Sequence, residues 1–285
     1  MSRPRERTHA ERLASRDGYF APESPIRRLG NTALVPLLGG GVAVLLQVAH
    51  PLVAAGVAGH SDYRRDLWRR LARTLHALYL VTFGSKAEAE LAAASVRAVH
   101  AHVRGTTGEQ LGPFPAGTPY SAEDPELQLW VHATLVEASL STWQRFARPL
   151  SADEQERYYA EMAVVARLFG VPADTIPATL GDFREYVAAK LAGPEITVTP
   201  PAADISRVIL EAPLPAPLRL FAPAHRLATA AQLPPRLRDE YGLPWSRARA
   251  VALGPAAAWV KVATRPVLSA AARVSPPSRL VPVRA

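Results

Sequence analysis

The sequence predicts an all-α fold, a single domain of about eight to ten helices, and three observations carry that prediction. From Asp62 to about Val103 apolar side chains recur at three- and four-residue offsets, the period of a helix with one buried face. Helix-start signatures stand at Ser85 with Glu88, at Asp124 before Pro125, and at Ser151 with Glu154. No stretch alternates apolar and polar residues convincingly, as a half-buried strand does, and no segment repeats.

Residues 1–28 are polar and arginine-rich and read as a basic arm with room for one short helix. Leu29 to Ser61 then contains no charged residue, a length sufficient to cross a bilayer. Gly39-Gly40-Gly41, Gln47, His50 and Pro51 interrupt this run, and a His-Pro pair bends a helix in mid-course. A buried core helix is therefore favoured over a spanning segment. Arg27-Arg28 ahead of the run faintly resembles a twin-arginine export signal. The apolar stretch is longer than a signal core, however, and no clear cleavage point precedes His50, so the chain is placed in the cytoplasm.

An arginine-rich helix to Val81 follows, then a turn at Phe83-Gly84-Ser85 and a second helix to about Val103. Gly105–Pro119, with four glycines and three prolines, is a long loop of the kind that carries function. Helices are expected from Asp124-Pro125 to Arg148, from Ser151 to Phe169 with Gly170 as the stop, and from Pro172 to Lys190. Beyond a proline-rich passage after Gly193-Pro194, shorter helices fall near 203–210, 216–231 and 246–264. The expected organisation is an arm at 1–28, an all-helical domain at 29–264 and a flexible basic tail at 265–285.

The 285 residues, 48% of them hydrophobic, suffice for a sizeable core. Cysteine is absent, which removes disulfides, iron–sulfur clusters and thiolate metal sites. Three lysines stand against thirty arginines, and the formal net charge is +8. The excess sits at the ends: residues 241–285 hold seven basic residues and no acid, while 31–240 is close to neutral. Basic ends suit acidic surfaces, so peripheral membrane contact is one expectation and solvated tails the other. Nucleic-acid binding is not expected, because no aromatic residues interleave the basic ones.

The chemistry concentrates in Arg97-Ala-Val-His100-Ala-His-Val-Arg104. Read as one helix, offsets of three and four stack Arg97, His100 and Arg104 on a single face. The imidazole is placed to bind a metal, and the arginines to hold carboxylates at the rim of that metal's macrocycle. Haem is the ligand of that description, with His100 as the iron ligand; a solvated helix face is the competing reading. Arg70-Leu-Ala-Arg73-Thr74 tilts the balance. Two antiparallel helices joined at Phe83-Gly84-Ser85 bring it near the stripe, and converging arginines with few local acids call for an anionic cofactor.

An ordered set of motifs adds to this reading. Gln47-Val-Ala-His50-Pro51, Gly56-Val57, His60-Ser61, Arg70-x-x-Arg73-Thr74, Arg97-x-x-His100-x-x-x-Arg104-Gly105, Tyr120-x-x-x-Asp124-Pro125 and Trp130-Val131-His132-Ala133 occur in this order. Over about residues 33–190 the set resembles the DUF2236 family, whose members include the latex clearing proteins (rubber oxygenases) and the fungal MpaB-type oxygenases. The resemblance implies a globin-like helical core holding haem b. In it His100 matches the axial ligand, Arg97 and Arg104 the arginines around that histidine, and Arg70 and Thr74 residues of the haem pocket. In rubber oxygenases the haem iron binds dioxygen, and carbon–carbon double bonds are cleaved. The chain departs from that branch at two points. Arg73 stands where those enzymes carry a distal lysine, and residues 29–61 offer no carboxylate in place of their distal glutamate. An arginine stays charged at any useful pH and is a poor proton-transfer base. Asp62 and Asp66 are the nearest acids.

On the distal, catalytic side the candidates are Arg73, Thr74 and His50. His50, before Pro51, reads either as a distal group or as a polar plug for carbonyls that the proline frees. His132, beside Trp130 on an apolar face, reads either as a cofactor-pocket residue or as a core histidine donating to a backbone carbonyl. His60 with Ser61 reads as a helix-end cap, and His102 as exposed. No Glu-x-x-His spacing supports a dimetal site. The expected function is a haem b-dependent oxidoreductase, an oxygenase using dioxygen or peroxide on a small apolar or isoprenoid-like substrate. The alternatives are a non-catalytic haem- or lipid-binding helical protein and a membrane-associated helical protein without cofactor.

Overall fold

A computed structural model describes residues 17–32, 34–61, 63–64, 67–211 and 218–271. Asp62, Asp66 and the outer parts of the expected arm and tail lie outside them. The order is α1 (Pro25–Gly30), α2 (Leu34–Val48), α3 (Pro51–His60), α4 (Leu67–Phe83), α5 (Lys86–His100), strands β1 (Arg104–Thr106) and β2 (Pro119–Ser121), then α6 (Pro125–Phe146), α7 (Ala152–Leu168), α8 (Leu180–Ala192) and α9 (Pro200–Glu211). A 3₁₀ turn (Leu218–Phe221), α10 (Ala222–Gln232), α11 (Pro235–Glu240) and α12 (Arg247–Ala271) complete it. The protein is all-α, with twelve α-helices among the described residues and one small antiparallel strand pair.

The charge-free run forms the centre. Leu38, Val42, Leu45 and Val48 of α2 are essentially fully buried, and α2 lies along α6, the longest helix of the core. The three glycines do not break α2; two of them let neighbours approach. A Cβ on Gly39 would stand 2.6 Å from Thr142 Oγ1 of α6, and one on Gly41 would stand 2.8 Å from His225 Cε1 of α10. Gly40 faces open space. Gly39→Ala is accordingly expected to cost about 1–3 kcal/mol through overpacking. Gly40→Ala should gain up to about 1 kcal/mol of helix propensity, and chemical denaturation separates the two.

At His50-Pro51 the chain turns by 103° between α2 and α3. Among the described residues no single helix is long and apolar enough to cross a membrane. Two carbonyls that the break frees are taken by distant donors, Trp130 Nε1 to Leu46 O (3.1 Å) and the Thr197 amide to Ala49 O (2.8 Å), while Tyr241 Oη adds a second bond (2.6 Å) to Leu45 O, which already accepts the Ala49 amide. Arg27-Arg28 also has a local structural use. Arg27 is buried, donating to Phe20 O and lying over the Phe83 ring, and Arg28 pairs with Glu154 at 2.7 Å.

Capping boxes at Ser85 and Ser151 and the Asp124 cap open their helices as expected, and Gly170 (φ +104°) ends α7. The helix expected from Pro172 begins later, at Leu180. Thr179 caps it, accepting the Asp182 amide, while the Pro172–Ala178 passage forms turns. The last helix runs past residue 264 to Ala271.

Candidate functional site

Helices α4 and α5 form an antiparallel hairpin about Gly84, held by the Ser85–Glu88 capping box, and α5 ends at His100. The chain then tightens, the Val103 amide bonding to His100 O (2.9 Å), and enters β1, where Arg104 pairs with Ser121. The expected single-file stripe is therefore broken: Arg104 is not on the helix of Arg97 and His100 but on an exposed strand position. The cause is non-local. The Val103 carbonyl accepts the Ala122 amide (2.8 Å), and Gly105 faces Tyr120, where a Cβ would lie 2.8 Å from the phenol oxygen.

Three chain segments converge at the end of α5. Arg70 of α4 donates through Nη1 to Ser61 Oγ, 2.6 Å away, at the end of α3. Burial pulls the Arg70 pKa down, and the neighbouring Arg73 charge adds to this. The His100 pKa is also lowered, first by burial, with the Arg70 charge acting in the same direction and Glu123 opposing. The imidazole is thus held in its neutral form, which is the metal-ligating form. Its Nδ1 is buried without a hydrogen-bond partner, which is costly for a ring nitrogen. Among the described residues no carboxylate lies within 4.0 Å of Arg70, Arg73, Arg97 or Arg104.

Beside this cluster, Tyr120 rests against three glycines. Cβ atoms on Gly56, Gly59 and Gly105 would each come within 4 Å of its ring or hydroxyl, and its oxygen lies 3.4 Å from His60 Nε2. Tyr120 also lines a cleft of about 400 Å³ between α3, the loop after β1 and Pro201. Ser61, Tyr120 and Glu123 were not among the site residues expected from sequence. The His60-Ser61 and Tyr120-x-x-x-Asp124-Pro125 motifs already contain Ser61, Tyr120 and the position of Glu123.

The other candidates are dispersed. The Arg97 side chain turns to the end of α7, where Nη1 donates to Leu168 O beside Gly170. A cation at a helix C-terminus is favourable, so Arg97→Ala should lower stability by about 0.5–1 kcal/mol in a urea titration. Arg73 and Thr74 are exposed, and Thr74 Oγ1 donates to Arg70 O of its own helix (3.1 Å). His50 is buried and caps α3: Nδ1 accepts the Leu52 amide (3.3 Å), and the ring stacks on Phe114 at 5.5 Å. It does not plug the freed carbonyls, because Trp130 and Thr197 already do. His132 is buried on α6, and its Nε2 has no partner. Burial lowers the pKa of both His50 and His132 to about 4. His60 ends α3 beside Tyr120, and the exposed His102 bonds Ala98 O through Nδ1.

The hairpin leaves apolar side chains in the open. Leu71 and Leu75 on α4 and Leu91 and Val99 on α5 are each exposed by more than a third. A neutral, unpartnered imidazole, a desolvated guanidinium with no carboxylate beside it among the described residues, and uncovered leucines fit an anionic, largely apolar macrocycle that carries its own metal. Among the described residues no three His, Asp or Glu side chains gather as metal ligands, and haem asks for only one such ligand from the helix.

The chain belongs to a family of oxygenase catalytic domains. The match spans residues 27–264, and the family is described as ER-bound oxygenase mpaB/B'/Rubber oxygenase, catalytic domain. Its relatives include Uncharacterized protein Mb2261 of Mycobacterium bovis and Uncharacterized protein Rv2237 of Mycobacterium tuberculosis. Each is 28% identical over 211 residues, covering 72% of this chain and 80% of the relative. No solved structure matches the chain.

Proposed function

We propose that this member of an oxygenase family is a haem b-dependent oxygenase acting on a small apolar or isoprenoid-like substrate, with His100 as the iron ligand. The single observation that carries the reading is the buried, unpartnered His100 Nδ1 beside Arg70, at the end of a helical hairpin whose leucines are uncovered. Bound there, haem supplies the binding and activation of dioxygen or peroxide. The protein's own share is positional. Burial keeps the His100 imidazole neutral and available as a ligand. Arg70, anchored by Ser61, offers positive charge to a propionate. Thr74 braces the turn of α4 that carries Arg70, and Arg73 adds exposed positive charge beside it. The cleft beside Tyr120 offers room for a small substrate. The family's oxygenase character, the helical hairpin and the motif order support the reading together.

The test is the visible spectrum of the purified protein, as isolated and after haemin addition, with and without dithionite. A Soret band that shifts on reduction is expected. Oxygen uptake with isoprenoid substrates follows; a protein that takes up no haem overturns the proposal. A haem carrier without turnover is the second reading, favoured by the carboxylate-free run 29–61 and by Arg73. A Soret band with no oxygen uptake supports it.

A further inference from the structure

The last helix carries apolar side chains on its exposed side as well as on its buried one. Helix α12 packs on α10 through Leu253 and Ala257, which join Ala224, Ala228, Leu34, Leu38 and Phe146 in one buried cluster. A surface helix normally turns its polar face to water. Here Val251, Pro255, Ala258 and Val262, spaced four, three and four residues apart, lie on one exposed face, with Val251 72% and Val262 64% exposed. Trp259 sits at the edge of this stripe, 42% exposed. Leu220, on the 3₁₀ turn that leads into α10, is 70% exposed as well.

Charge selects the occupant. The helix carries Arg247, Arg249, Lys261 and Arg265 and no acid, and none occurs anywhere in 241–285. Residues 1–16 and 272–285 are themselves net basic, as is a second copy of α12, so each would meet like charge there. An apolar stripe with basic residues on the same helix fits the surface of an anionic lipid bilayer, where valine and tryptophan enter the headgroup boundary and arginine meets phosphate.

We propose that the outward face of α12 docks this domain onto anionic membranes. The surface is separate from the candidate haem site. Phe146, at the end of α6, belongs to the α12 cluster, whereas Glu123 near His100 lies at its beginning. The 22 residues of α6 span about 33 Å at the usual rise.

Co-sedimentation of the full chain with vesicles of phosphatidylcholine alone, or mixed with phosphatidylglycerol, tests this. Partition onto the anionic vesicles is expected to exceed that onto neutral ones by about tenfold or more and to fall as salt rises. Val251→Asp with Val262→Asp should lower it by about tenfold or more. Arg247→Gln, which leaves the apolar stripe intact and removes one charge, should lower it by about fivefold, the value of one juxtamembrane charge. Both variants should keep the thermal melt and haem uptake of the parent. Equal partition onto neutral and anionic vesicles, or unchanged partition of both variants, overturns the proposal. So does a dimer in light scattering that Val251→Asp with Val262→Asp dissolves, because a second copy then covers the face.

Discussion

His100→Ala is expected to abolish haem binding, and it is the largest effect foreseen for a single side chain. A haemin titration of the parent should give a Soret band at near-stoichiometric addition, whereas the variant should bind more than about 100-fold more weakly, since even outer partners of a metal ligand are worth about 10–100-fold. Two controls give the result its meaning. His102 is exposed and engaged with Ala98 O, so His102→Ala should leave the spectrum unchanged. Arg70 contributes charge, not ligation, and Arg70→Gln should weaken binding by about tenfold, the value of one charge-assisted hydrogen bond. Normal haem uptake by His100→Ala would move the ligand elsewhere, with His132 the first residue to examine because its Nε2 is buried and free of partners.

Acid should destabilise the fold well above the range in which carboxylates titrate. His50 and His132 have pKa values near 4 in the folded protein, below the ordinary histidine value of 6.5, because both are buried and neutral. The unfolded chain therefore binds more protons than the folded one between pH 6.5 and 4, and stability falls as pH is lowered through that window. Each histidine should remove about 2 kcal/mol between pH 7 and pH 5, read as a fall in urea midpoint. His132→Leu discards a nitrogen that bonds to nothing and should remove about half of this loss. His50→Asn keeps a side chain able to accept the Leu52 amide while removing the titration, with a similar effect. A parent whose urea midpoint is flat from pH 7 to 5, or variants with the parent's slope, would contradict the burial of these rings.

Helix starts were legible in the sequence wherever the cap is local. Ser85, Asp124 and Ser151 satisfy amides two or three residues away, and the sequence states both partners. Thr179-x-x-Asp182 has the same form, yet Pro172 offered a rival start, and only packing decides between them. The count of twelve helices against an expected eight to ten follows from the corner at His50-Pro51 and from the two-turn helices α1 and α11, too short to show a period. Within the site, His100 and Arg70 meet as the hairpin predicts. Arg104 was misread because spacing continues across a helix end, whereas the strand that captures it lies fifteen residues further along the chain. The side chain of Arg97 was misread for a related reason. Helical offset fixes where a Cβ points, but a flexible arginine goes to the acceptor within reach, here the end of α7.

The corner between α2 and α3 also bears on the order in which the protein assembles. Its freed carbonyls are answered from α6 and from the segment before α9, and Tyr241 just after α11 fastens Leu45 O one turn earlier. Helix α3, which carries Ser61 and the glycines under Tyr120, therefore gains its fixed direction only when distant parts of the chain have come home. During synthesis the hairpin that bears His100 can close early from local contacts, while the wall opposite it waits for residues near the other end. The pocket is in this sense completed last, so a nascent chain carries the ligand long before it has the enclosure.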